Sequence, residues 1–154
     1  MPDLKLIALD PEDLAVISAH LQDAVLRVGD MAYLPSAKRF VALANRFDWA
    51  AGLRGDKRTG RSKPPERRRS ALRFERVLSA KVTGLDLNDK RATLALLAIT
   101  FIPTANDVPD GDVTLTFSGG AAIRLSVECL EIQMKDLGAA WTAKGSPDHP
   151  EDHS

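Results

Sequence analysis

A chain of 154 residues, 44% apolar and 27% charged, is sized for one domain with one core, and its composition excludes a disordered or fibrous polymer. Its formal charge is zero, yet the cations are gathered: Arg54, Lys57, Arg58, Arg61, Lys63, Arg67, Arg68 and Arg69 stand against Asp56 and Glu66, while Asp148, Glu151 and Asp152 end the chain with no Lys or Arg beside them. The lone Cys129 excludes an intramolecular disulfide, Asp3 and Lys5 interrupt any signal peptide, and the longest apolar run, Ala92 to Ile102, falls short of the roughly 20 residues that span a bilayer, so a soluble cytoplasmic protein is expected.

Leu4 to Leu9 is a short apolar stretch that ends at Asp10-Pro11, a helix start in which Asp10 caps the first turn and Glu12 and Asp13 suit its positive end. Leu14, Ile17, Leu21, Ala24, Val25 and Val28 then recur at helical steps up to Gly29, predicting an amphipathic helix over Pro11 to Val28. Met31 to Leu34, a turn at Pro35-Ser36-Ala37, and Arg39 to Trp49 read as a hairpin whose buried side is Val41, Leu43, Phe47 and Trp49. Residues 50–65, basic and carrying Gly52, Gly55, Gly60 and Pro64-Pro65, read as a long flexible loop.

Ser70 to Thr83 alternates again, with Leu72, Phe74, Leu78, Ala80 and Val82 on one face; Arg76 and Val77 break the pattern and suit a bulge or a strand end. Thr93 to Ile102 is apolar on both faces, as in a central strand covered twice. Turn chemistry over Asn106 to Gly111 precedes two matched strands, Val113-Leu115-Phe117 and Ile123-Leu125-Val127, joined at Gly119-Gly120. Leu130, Met134 and Leu137 step at helical intervals to Gly138, predicting a short terminal helix, and after Trp141 an acidic tail over 142–154 is expected to fray. The fold class is therefore α+β: a helix on a strongly curved antiparallel sheet, or a partly closed barrel, of about six or seven strands, with residues 1–141 as one domain. A barrel closed by a terminal helix would be pleckstrin-homology-like, an analogy of fold that carries no function.

The basic segment is the one feature with a physical argument for a partner. Arg58, Arg61, Lys63, Arg67, Arg68 and Arg69 would draw an acidic protein or a nucleic acid, although no aromatic residue lies among them to stack on bases. His149 and His153 sit among acids but between prolines that forbid a shared helical face, so no metal site is assigned. Cys129 could be activated by a helix start, yet no base is positioned for it, and His20 reads as a helix-edge residue. Carboxylates for general acid–base work could come from Asp48, Glu75 and Glu128, though nothing in the spacing gathers them. Gly119-Gly120 lacks the Lys and Ser/Thr of a phosphate loop and reads as a turn. No catalytic residue and no cofactor is assigned.

The segments 28–35 (VGDMAYLP), 45–49 (NRFDW), 72–77 (LRFERV) and 123–131 (IRLSVECLE), with Asp136-Leu137-Gly138 and Trp141, resemble a small alphaproteobacterial domain-of-unknown-function family, DUF2948, over nearly the whole chain. The resemblance implies a bacterial source and genes near those of histidine and cell-wall precursor synthesis, and it transfers no site. The leading expectation is a non-enzymatic binding or scaffolding module, with a homodimer through a sheet face or edge as one form of it and no membrane partner. The alternative is a small enzyme or ligand carrier with a pocket between sheet and helix, lined by Arg46, Asp48, Arg124 or Glu128.

Overall fold

Asp10 makes the helix start that its position promises: backbone extended, its Oδ1 accepting from the Asp13 amide at 2.8 Å, with Pro11 in the first turn. The computed structural model describes residues 4–48, 66–138 and 141–142, and in chain order it runs β1 (Lys5–Ala8), α1 (Pro11–His20), β2 (Val25–Leu34), β3 (Arg39–Asp48), β4 (Glu66–Phe74), β5 (Val77–Thr83), β6 (Thr93–Pro103), β7 (Gly111–Phe117), β8 (Ala122–Val127), β9 (Ile132–Asp136) and β10 (Trp141–Thr142). Every strand pairing among the described residues is antiparallel, in the order β1-β9-β4-β3-β2-β6-β7-β8-β5, with β10 pairing β4 off this path. The sheet is not closed: β1 and β5 are its two ends. Among the described residues no helix is long and apolar enough to cross a membrane.

The α+β class and the hairpins stand; several boundaries and faces do not. α1 stops at His20, short of the expected end at Val28, because Asp23 takes a left-handed φ of 63° and its amide donates to the Leu96 carbonyl at 2.8 Å, so the chain leaves the helix and joins the sheet. Val25 and Val28, which continue the helical stripe in sequence, belong to β2, and Ala24 leads into it. Gly29 is therefore no helix stop. It sits where β2 passes so close to Lys90 that a Cβ would lie 2.9 Å from the Lys90 carbonyl oxygen.

In β3 the expected faces are exchanged. Phe40, Ala42, Ala44, Arg46 and Asp48 are buried, and Val41, Leu43 and Phe47 lie on the opposite side, half-buried. Bulk misleads here, since the inward set holds two alanines that make room under α1 and an aromatic, Phe40, packed edge-on against Phe74 at 5.8 Å between centroids. The stretch 70–83 is two strands, because Arg76 adopts φ 60° and the β5–β8 register shifts between Val77 and Ser79; Leu72, Phe74 and Val77 stay buried while Leu78 is exposed.

β6 is central, as expected, but only one face is covered. Leu96 and Ile99 are buried toward α1, a register shift against β7 falls between Leu96 and Ala98, and Ser18 Oγ accepts from the Ile99 amide at 3.0 Å; Leu97 and Ile102 point to solvent. The hairpin at Gly119-Gly120 is as read, both glycines at positive φ and Leu115 opposite Ile123. Where the terminal helix is expected there is a strand: Ile132, Met134 and Asp136 alternate inward along β9, which pairs with both β1 and β4. With β1, β9 and β10 added and 70–83 divided, the described residues form ten strands, and no terminal helix closes them into a barrel. One apolar cluster joins α1 (Leu14, Ile17) and Leu21, just past its end, to β2, β3, β4, β6, β7, β8 and β9.

Candidate partner-docking face

Buried charge collects at one end of the core. Asp136, at the end of β9, accepts four hydrogen bonds: from Arg46 Nε at 3.0 Å and Nη2 at 2.8 Å, from Ser70 Oγ at 2.6 Å and from the Leu4 amide at 3.1 Å. Arg46, Ser70 and Asp136 are almost wholly buried. Burial would raise the Asp136 carboxyl, but the bonds from Arg46 and Ser70, the Arg46 charge and the Leu4 amide outweigh it and hold the group below the ordinary carboxylate range. Beside it Arg68 Nε donates to Asp48 Oδ2 at 3.0 Å. His20 ends α1 against the same group; desolvation first, then the Arg46 charge, lower its pKa against the opposing pull of Asp136 and Asp48. With four donors on its two oxygens, Asp136 has little capacity left for a substrate proton, so this network acts as a lock joining β1, β3, β4 and β9.

The opposite face of the same strands has another character. Strand register sets Leu43, Ala71, Lys135 and Lys5 in one row across β3, β4, β9 and β1. The neighbouring row is Val41, Arg73, Gln133 and Ile7; Arg69 lies opposite Asn45, and Arg67 opposite Phe47. Arg69, Lys135 and Lys5 are exposed. Lys5 and Lys135 are direct cross-strand neighbours, a like-charge pairing that works against the sheet. The Arg67 guanidinium lies 4.6 Å from the Phe47 ring centroid, held by the ring face, and its buried Nε has no hydrogen-bond partner among the described residues. Glu75 is engaged by Arg39 at 3.0 Å and by Arg73 at 2.9 Å, and Asp30 lies 3.9 Å from Arg69. The covering helix, on the other side of the sheet, carries Glu12 and Asp13 in its first turn.

An open groove of about 590 Å³ lies in this face. It exists because β2 and β3 part company: Leu26 pairs with Ala44 but the next partner of Ala42 is Met31, so the chain between them bows away and is tied instead to the 90–92 turn, Val28 N to Ala92 O and Gly29 N to Lys90 O, both 2.9 Å. Its walls are mainly apolar, Met31, Ala32, Val41, Leu43 and Ala71, with Asp30 and Arg73 at the rim.

The residues singled out by sequence are scattered over the molecule. Arg58, Arg61 and Lys63, with His149 and His153, lie outside the described residues. Arg67, Arg68 and Arg69 alternate on β4, so Arg68 enters the core while Arg67 and Arg69 face outward with the sheet cations. Arg46 and Asp48 share the inner face of β3, whereas Arg124 lies 4.0 Å from Asp112 and Glu128 3.4 Å from Lys38, each with a partner outside the expected pocket. Glu75 and Glu128 likewise have separate cationic partners. Cys129 is half-buried between β8 and β9. Among the described residues no group of His, Cys, Asp or Glu is arranged to hold a metal ion. Sequence reasoning misses Lys5, Lys135, Arg73, Val41 and Leu43 as site residues. The outward phase of Gln133 and Lys135 is hidden until β9 is known to be a strand, and only then do Lys135 and Lys5 fall on one face.

The chain belongs to the family described as "Protein of unknown function (DUF2948)", whose model matches residues 4–149. No curated protein and no solved structure matches it.

Proposed function

We propose that this chain is a non-enzymatic binding module that docks an acidic partner on the outer face of β3, β4, β9 and β1. The observation that carries the reading is the Lys5–Lys135 pairing beside Arg69 and Arg73: the sheet tolerates a repulsion that a bound polyanion would relieve. The basic sequence between Arg54 and Arg69 supports it, because Arg67 and Arg69 of that run lie on this face, opposite Phe47 and Asn45. The carrier alternative has less support, since Leu14, Ile17 and Leu21 fill the space between helix and sheet as part of the core. A homodimer would sooner use the β5 edge, where Leu78 is exposed, than a face that sets cation against cation. The single half-buried cysteine suits a reducing cytoplasm.

The test is titration of the full chain with fluorescent poly-glutamate at low and high salt. Binding that weakens with salt and falls at least roughly tenfold in a Lys135→Glu/Arg69→Glu variant supports the reading. Binding unchanged by that variant, or none at low salt, overturns it.

A further inference from the structure

The charged rows say that the partner is acidic; the groove between them says more about its chemistry. Its space is in the range that small-ligand pockets occupy, its walls are aliphatic, and small residues keep it open: Gly29 at the β2 bow, Ala32 at the lip, Ala71 on its floor beside Leu43. Arg73 stands at the rim, and Lys135 is the register neighbour of Ala71. We infer that the partner is a polypeptide segment with an aliphatic or aromatic anchor residue flanked by carboxylates, the anchor entering the groove over Leu43 and the carboxylates meeting Arg69, Arg73 and Lys135; this rests on the acidic-partner reading above.

Two observations favour a polypeptide over a nucleic acid. A phosphate backbone carries nothing apolar to fill the groove, so docking one there would leave Val41 and Leu43 against solvent or charge. The aromatic ring that this face offers for base stacking, Phe47, already has the Arg67 guanidinium on it.

The experiment uses the full chain and three labelled probes: a glutamate-rich peptide with one central Leu, the same peptide with Ala in its place, and a single-stranded oligonucleotide of equal charge. The Leu peptide binds roughly tenfold or more tightly than the Ala peptide. Ala32→Trp, at an exposed lip position, abolishes that difference and leaves the Ala peptide's binding as it was; Ala71→Leu, which fills the floor, does the same and guards against a folding defect in either variant. Equal binding of the two peptides overturns the anchor while leaving the acidic-partner reading in place. Failure of all three probes overturns both, and an oligonucleotide that binds tightest, unaffected by Ala32→Trp, overturns the polypeptide.

Discussion

Arg46 and Asp136 meet as a two-point ion pair, Nε to Oδ1 at 3.0 Å and Nη2 to Oδ2 at 2.8 Å, with side chains 3% and 1% exposed. Each desolvated charge depends on the other, and the pair ties β3 to β9 at the point where Leu4 and Ser70 also attach. Removing one partner therefore strands a buried charge: Asp136→Leu or Arg46→Met alone should cost about 3–5 kcal/mol, while the double replacement costs much less than the sum of the two. Urea unfolding of the single and double variants measures this; additive losses would contradict it.

The same pair contributes to stability in acid. Because the folded Asp136 carboxyl lies below its unfolded value of about 3.9, its contribution is complete above that pH and is lost as the pH falls through the folded value. Below about pH 3.9, the unfolded carboxylate value, stability should fall less steeply with falling pH for Asp136→Asn than for the natural chain.

His20 acts in a higher window. Its folded pKa is lowered, so below about pH 6.5 the unfolded chain takes up a proton that the folded chain resists. The stability it supports is present above about 6.5 and declines as pH falls from there toward the folded value. His20→Gln should flatten that part of the profile, read as Tm against pH in buffers of constant ionic strength.

Lys135 is where stability and binding should part. Lys135→Glu turns a like-charge cross-strand pair with Lys5 into an opposite-charge one, and a gain of about 0.2–1 kcal/mol is expected. The same change weakens poly-glutamate binding. A variant both less stable and unable to bind would show that Lys135 is needed for the sheet itself.

Much of this fold is legible where turn chemistry and period agree. Asp10-Pro11 places the helix start, and Gly119-Gly120 between two alternating runs places β7 and β8 in register. Phase is harder. In β3 Val41 and Leu43 line an outer groove while the inner face holds two alanines and an ion-paired arginine beside Phe40, so hydrophobicity alone chooses the wrong side. The β9 segment offers Leu130, Met134 and Leu137 for a helix and Ile132, Met134 and Asp136 for a strand, and so short a segment is too little for a period to decide. Pairing with β1 and β4 decides it, and those contacts are remote in sequence. The docking face shares that fate: Arg69 belongs to a visible basic run, whereas Lys5 and Lys135 become neighbours only once β1 and β9 pair.

The most direct test of the docking face is a residue-by-residue amide NMR map of the isotopically labelled full chain titrated with the Leu-anchored glutamate peptide. The account predicts shifts concentrated at Lys5, Leu43, Ala71, Arg73 and Lys135, with α1 and the β7–β8 hairpin unchanged. Shifts confined to α1, β5 or that hairpin would contradict it.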